Sequence, residues 1–438
     1  MHARLEQLKN RPYAVALLIG ILAQLLFTWH LDRPAKILFD EIHYLPAAQA
    51  LIDLIAPRNT EHPLVGKELL AAGLWLFGDN PFGWRLFATF AGTATVVSVF
   101  ATLWLLYREM RVAVVGAVLV LLNQTLFVQA RTAMLDVFLG AFLMGAIAAM
   151  TWAMRGTTRR QVIGRWTLGA VLIGLAVGSK WSAIPYVAMA GLAFLVIRAR
   201  DAILAGKGAK VPLLPRILSG RDQPHWNGLD AVSAMAILGL VSIATYFLTF
   251  APAFFYRHDP ITWATLIEYQ RAMYAAQTQV LPRHTYQSDW WSWPLMIRPI
   301  WYFYEWADGA QRGVLLIGNP VVMWGGLAAV VACYIAWFRA HAIRPLAMAL
   351  LWTFSVVIYA IIPKSLGFYY YYHLSGIFLC LALAAAFHHY DSGRNRGVEE
   401  WFAALALLAF VYFYPILSGA PLADPDAYSR WMWFGSWR

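Results

Sequence analysis

Two adjacent carboxylates, Asp40 and Glu41, sit in "FDEIHYLPAA" (39–48), about ten residues after a long apolar run ends. Leu45, Ala48, Leu51, Ile52 and Ile55 follow at helical spacing, so the stretch reads as an amphipathic helix in a membrane interface, with the acids at its N-terminus. There the helix dipole keeps a carboxylate ionised, and the plain structural role for the pair is a helix cap. Downstream, "EHPLVGKELL" (61–70) sets His62 in a proline turn ahead of Lys67, and a turn residue needs no chemistry. "FGWRLFATFAG" carries Arg85, "QARTAMLDVFLG" carries Arg131 and Asp136, and "GLAVGSKWSAIPY" carries Lys180, each beside the end of an apolar run. Cations at membrane depth are costly unless they meet an anion, and a lipid phosphate at the interface would supply one. The chemistry on offer is anion binding next to ionised acids; as snorkelling charges at helix ends, the same residues would need no ligand.

The elements that must position these groups are membrane spans. Of 438 residues 61% are apolar and only 13% charged, with a mean hydropathy of +0.56, which places the chain outside the soluble globular range. A window of about 19 residues finds eleven apolar runs, near 13–30, 84–106, 112–129, 133–154, 163–179, 183–199, 230–250, 314–338, 344–362, 367–389 and 400–418. Each must be a helix, because the bilayer core offers no water to open backbone groups. The first run lacks a small-residue cleavage site and is expected to be retained as a helix. Cys333 and Cys380 both fall inside spans, so neither reads as an extracellular staple.

Sidedness follows from the loops. "YREMR", "RGTTRRQVIGR", the segment from Arg198 to Arg221, "FRAHAIR" and "SGRNRG", together with the N-terminus, fall on one side and hold more than half of the 34 basic residues. The net charge of +11 is therefore explained by loops that stay cytoplasmic, with the N-terminus inside and the C-terminus outside, and no nucleic-acid partner is expected. This arrangement gathers Asp40, Glu41, His62, Lys67, Arg85, Arg131, Asp136, Lys180, Arg298 and Lys364 on the outer side. A secondary transporter would instead place ionisable groups near mid-membrane on broken helices, often in repeated halves, and neither feature is visible.

The ordered set "FDEIHY", "HPLVGK", "ARTAMLDVFL", "GLAVGSKWSA", "SWPLMIRPIWYFYE", "LLIGNPVVMW", "FYYYYHLSGIF" and "FYPILSGAPL" resembles the protein O-mannosyltransferase family, over about residues 30–435. These are GT-C class membrane glycosyltransferases that use a polyprenyl-phosphate sugar. The resemblance implies an all-α polytopic protein of about 11 transmembrane helices, one membrane domain over 1–438, whose outer loops, about 31–83 and 251–313, form the active-site face with interfacial helices. It implies Asp40 as catalytic base, Glu41 as an acid that positions acceptor or donor, and Arg85 at the donor phosphate. Sidedness and charge extend the phosphate role to Lys67, Arg131, Lys180 and Arg298, while His62, Asp136, Tyr44 and Trp293 are further site candidates. Two departures stand out: Leu64 replaces the usual second proline of "HPLVGK", and there is no room for the lumenal β-domain of eukaryotic members, so the chain looks bacterial.

The expected reaction is inverting transfer of mannose or a related sugar to a Ser or Thr hydroxyl of an acceptor polypeptide, at the outer face of the inner (plasma) membrane. The base takes the hydroxyl proton, and cations stabilise the departing phosphate. Apart from the polyprenyl-phosphate co-substrate no cofactor is expected, and no tight His or Asp cluster has metal-ligand spacing. The aromatic runs "SDWWSWPLMIRPIWYFYEW" and "GFYYYYHL" read either as an interfacial belt or as a cleft for sugar and polyprenyl chain, with Arg298 facing the phosphate. The rival with the same architecture is a transferase acting on lipid or polysaccharide, of the aminoarabinose-to-lipid A type.

Overall fold

A computed structural model describes residues 11–205, 212–391 and 397–438. Parts of two basic loops that bear on sidedness, 206–211 and 392–396, lie outside the described residues. Among the described residues, eleven apolar helical segments follow the eleven hydropathic runs in order. They are α1 (Pro12–Thr28), α4 (Pro81–Tyr107), α5 (Met110–Leu121) continued by α6 (Gln124–Gln129), α7 (Leu135–Ala153), α8 (Arg159–Ser179), α9 (Ile184–Leu204), α11 (Ala231–Leu248), α13 (Pro320–Ala340), α14 (Ile343–Val357), α15 (His373–Tyr390) and α16 (Val398–Ser418). Among the described residues nine are long and apolar enough to cross a membrane, and α1 and α5 are shorter apolar helices. The chain is a multi-pass membrane protein. The third run breaks at Asn123, whose side-chain oxygen accepts from the Thr125 N–H and starts α6 as a separate turn of chain.

Side-chain caps and prolines fix where spans begin. Asn80 accepts from the N–H groups of Phe82 and Gly83, with Pro81 in the first turn of α4, and Asn319 with Pro320 does the same for α13. Asn319 also donates to the carbonyls of Leu122 and Ala406, pinning three spans together. Packing then sorts the helices. The sequence of α15 is apolar on every face, and 94% of its apolar window is buried, so it runs through the middle of the bundle. In α9, α11 and α14 only 28% of the equivalent window is buried, and these helices present their apolar surface to lipid.

Between the spans, α2 (Glu41–Ile52) and α3 (Val65–Phe77) form the first outer segment, α10 (Leu213–Leu218) lies in a loop at the other end, and α12 (Leu266–Thr278) belongs to the second outer segment. Leu45, Ala48 and Leu51 of α2 are buried as their spacing predicts, but the helix ends at Ile52 and Ile55 is exposed. α2 packs on α3, which in turn packs on α4.

One element departs from an all-helical reading. Strands β1 (Ile300–Ala307) and β2 (Ala310–Leu316) pair antiparallel, with a bulge between Trp301 and Phe303. Asp308 and Gly309 both take positive φ, 50° and 74°, as a two-residue hairpin turn of Asp-Gly type requires. The apolar run assigned to 314–338 therefore begins as a strand, since a short apolar run does not by itself distinguish strand from helix. The hairpin reaches the first outer segment. The Phe39 N–H donates to the Tyr302 carbonyl at 3.1 Å, and the two rings stack 4.7 Å apart. Phe39 takes φ 39°, a conformation a bulky residue holds only when its surroundings enforce it, and Asp40 comes next.

Candidate active site

Asp40 stands at the N-cap position of α2, yet its side chain makes no cap hydrogen bond. Among the described residues it is in no ion pair, and its one side-chain hydrogen bond is a long one, 3.4 Å, from the Tyr44 hydroxyl to Oδ2. Burial pushes its carboxyl above the ordinary range, against the pull of Lys180 and His43, with Asp136 adding to the rise. A carboxylate that is poised upward and uncommitted to any cation can act as a general base.

Glu41 is the opposite case. Its Oε1 accepts from Arg85 Nε (2.8 Å) and the Ala133 N–H (2.9 Å), and its Oε2 from Arg85 Nη2 (2.9 Å) and the Leu38 N–H (2.8 Å). Arg85 completes its fork on the carbonyls of Pro34 (2.8 Å), Lys36 (2.8 Å) and Leu31 (3.4 Å). Both side chains are fully buried. This bidentate pair ties the loop before α2, the start of α4 and the turn before α7 into one unit, and neither partner has a group left for substrate. Arg85 and Glu41 are thus paired with each other, where the resemblance implies a phosphate contact for Arg85 and a role for Glu41 in positioning acceptor or donor.

Three further cations are also spent on backbone. Lys67 donates to the carbonyls of Asn59 and His62 and, at 3.4 Å, of Arg58, holding the loop around the His-Pro turn. Arg131 caps the C-terminal end of α1 through the carbonyls of Phe27, Trp29 and His30. Arg298 binds the carbonyls of Thr285, Ser436 and Arg438 over the Tyr286 ring, so it faces the chain terminus and not a phosphate site. Sequence distinguishes cations from neutral residues; it does not reveal which carbonyls will already be waiting for them.

Lys180 is where the expectation meets the geometry. Its Nζ lies 2.8 Å from both oxygens of Asp136 and 4.8–4.9 Å from the ring centroids of Tyr370 and Tyr371. On the other side, Lys364 Nζ donates to the Tyr371 hydroxyl at 2.8 Å and has no carboxylate partner among the described residues. Lys180, Lys364 and Tyr371 line a cavity of about 260 Å³, closed by Trp181, Tyr359 and Gln277. Burial lowers the Lys364 pKa, while Asp136 and Asp40 draw it up, so both acids act on this lysine. Ile184 and Pro185 at the head of α9, and Ile362 and Pro363 after α14, also line it, and both helices are lipid-facing. The cavity thus joins a cationic end to the membrane.

The remaining candidates form the surroundings. Tyr44 packs edge-on to the His62 ring, 6.0 Å between centroids. His62 Nδ1 is buried without a partner among the described residues, and burial, Lys180 and Lys364 lower its pKa. Trp293 is buried behind the pocket, donates to the Ser288 hydroxyl and packs on Tyr359 and Tyr371. Tyr302, which the aromatic run hid, receives a hydrogen bond from Gln129 at 3.2 Å. Lys364 was visible only as one outer-loop charge, and its signal was the tyrosine run that follows it. Among the described residues no group of three or more His, Cys, Asp or Glu is placed to hold a metal ion.

Comparison with known proteins places this geometry. Residues 77–256 match the profile of the dolichyl-phosphate-mannose-protein mannosyltransferase family, and residues 262–347 that of the C-terminal four-helix membrane region of protein-O-mannosyltransferase. The polyprenol-phosphate-mannose–protein mannosyltransferase of Mycolicibacterium smegmatis is 28% identical, covering 98% of this chain and 94% of its own. In fold, the chain is similar to the S. cerevisiae protein O-mannosyltransferase Pmt1-Pmt2 complex bound to the sugar donor, with a TM-score of 0.81 and 14% identity over 98% of this chain and 93% of that one. ArnT from Cupriavidus metallidurans bound to undecaprenyl phosphate gives a TM-score of 0.54 at 14% identity, over 93% of this chain and 70% of that one. Two profiles of one family span well over half of the sequence, and a relative aligns with it nearly end to end: the chain belongs to the protein O-mannosyltransferase family of GT-C membrane glycosyltransferases.

Proposed function

We propose that the protein transfers mannose from a polyprenyl-phosphate donor to a Ser or Thr hydroxyl of an acceptor polypeptide. The observation that carries the reading is the division of labour among the acids: Glu41 is consumed by Arg85 and Asp136 by Lys180, while Asp40 has no ion pair among the described residues and feels the charge of Lys180, which lines a cavity together with Lys364. In the proposed step Asp40 takes the proton of the acceptor hydroxyl as its oxygen bonds to the anomeric carbon. The bond from that carbon to the phosphate oxygen breaks, and the polyprenyl phosphate leaves as an anion toward Lys180 and Lys364. Attack from the face opposite the phosphate inverts the anomeric centre. The polyprenyl chain would reach lipid past Ile184 and Ile362.

The basic loops favour an inner (plasma) membrane orientation with the N-terminus in the cytoplasm and the C-terminus and the site outside. The donor arrives as a co-substrate and the phosphate meets lysines, so turnover is expected to need no dissociable cofactor and to survive dialysis against EDTA. The deciding experiment incubates the reconstituted protein with synthetic polyprenyl-phosphate mannose and separate peptide, lipid and glycan acceptors. Mannose on Ser or Thr of the peptide is the expected product. Transfer to lipid or glycan alone would replace the acceptor assignment.

A further inference from the structure

At the end of the bundle away from Asp40, the termini of several helices enclose a second cavity, of about 450 Å³. Tyr107 closes α4, Met154 follows α7, Ile197 and Arg200 lie in the last turns of α9, Ile343 to Met348 open α14, and His388 and His389 end α15. Arg200, His225, Arg344, His388 and His389 line it, and among the described residues no carboxylate does. Acids lie nearby outside the lining, and a small neighbouring cavity that shares His388 is lined by Glu109, Asp391 and Glu399. Asp201 holds His225 Nδ1 at 2.7 Å and stands 3.9 Å from Arg200, and Glu109 holds His388 Nδ1 at 3.0 Å.

Arg344 has no ion pair or hydrogen bond among the described residues; its guanidinium lies over the Tyr107 ring at 5.4 Å. The Tyr107 hydroxyl is buried with no partner among the described residues. Burial lowers the pKa of neighbouring Arg155, and Arg108 and Arg344 push it the same way. The same wall contains a helix start. Ala342 gives the 15-residue helix α14 no side-chain cap, and Ala342, Ile343 and Arg344 all line the cavity. A helix start of this kind leaves N–H groups and the positive end of the dipole available to an anion.

We infer that this cavity binds the phosphate headgroup of an anionic membrane lipid, held by Arg344, Arg200 and the first turn of α14. Basic pockets among spans at the cytoplasmic face suit such headgroups. Ile197, Ile343 and Met348 beside the cations provide an apolar wall for the glycerol and first methylenes, which a free phosphate would not use. The site is separate from the transfer site and does not rest on the reaction proposed above.

The test uses the full chain, purified in detergent and stripped of lipid. It is titrated with short-chain phosphatidylglycerol, with phosphatidylcholine of the same length and with inorganic phosphate, and bound lipid is read by native mass spectrometry. The wild type is expected to retain phosphatidylglycerol in preference to phosphatidylcholine. Combined Arg200→Gln and Arg344→Gln should weaken that retention by about tenfold or more, a change corresponding to one charge-assisted contact, and Arg→Lys at both positions should keep most of it. Equal retention by wild type and the double Gln variant, or phosphatidylcholine held as tightly as phosphatidylglycerol, overturns the site. Inorganic phosphate displacing the lipid at equal concentration overturns the lipid assignment. If the double variant does not fold, Arg344→Gln alone, at an exposed side chain, carries the same comparison.

Discussion

Exchanging Asp40 for Asn and Glu41 for Gln should give opposite phenotypes, although the two acids are neighbours. Asp40→Asn removes a base and is expected to lower turnover by about 10²–10⁴, measured at saturating donor and acceptor. Its thermal midpoint should be unchanged or raised, because the charge removed is partly buried and has no ion-pair partner. Glu41→Gln leaves the Arg85 guanidinium buried without its counter-ion and should cost about 3–5 kcal/mol, seen as a fall in the midpoint before any kinetic effect is isolated. The pH dependence separates them again. Because the folded-state pKa of Asp40 is raised, the base is lost as pH falls through it, so the acid limb of kcat/KM should lie above the ordinary carboxylate range and vanish in Asp40→Asn. For stability the sign is reversed: the folded chain holds that proton more tightly than the unfolded one, a contribution present at low pH and lost as pH rises through the folded pKa. Lys364→Ala should raise the KM for the lipid donor with little loss of stability, with partial recovery in Lys364→Arg, and an unchanged KM would remove Lys364 from the phosphate site.

Among the elements, the corner between α3 and α4 has the least freedom. A Cβ at Gly83 would collide with the Gly78 carbonyl, and one at Gly73 with the Gly83 carbonyl, and these are backbone atoms that cannot rotate away. Two residues after Gly83, Arg85 begins its contacts to the loop before α2. Gly83→Ala is therefore expected to destabilise by about 1–3 kcal/mol, as overpacking does, and to lower activity by displacing the Arg85 anchor. Differential scanning fluorimetry beside a turnover assay checks both. The β1–β2 hairpin acts from the other direction, since its Tyr302 clamps Phe39 by a backbone hydrogen bond and a ring stack. Asp40 is thus set by two elements far from it in sequence.

For the whole molecule, the quantity to establish is sidedness. Ser365 and Thr157 are both exposed and lie at opposite ends of the bundle, whereas Cys333 and Cys380 are buried. In a background lacking those two cysteines, Ser365→Cys should react with an impermeant thiol reagent added to intact cells and Thr157→Cys should not. Labelling of Thr157→Cys alone would invert the orientation and place Asp40 and the lysine-lined cavity in the cytoplasm. The same axis separates the two cavities: one end holds the pocket lined by Lys180 and Lys364, the other the cavity lined by Arg200 and Arg344.

Sequence alone determined the spans, because each must bury backbone in lipid and so writes its length and composition in plain apolar runs. It also determined that the unusual charges gather at one end, since helix alternation fixes which loops share a side. It could not show the broken span at Asn123 or the strand at the start of the 314–338 run, where local side-chain bonding and an Asp-Gly turn override hydropathy. Above all it could not assign partners. Arg85, Arg131, Lys67 and Arg298 are as cationic as Lys180 and Lys364, but the first meets a buried carboxylate and backbone carbonyls and the other three meet backbone carbonyls alone. Which cations remain for a phosphate depends on which oxygens the folded chain brings within hydrogen-bond reach, and those oxygens come from segments up to 140 residues away.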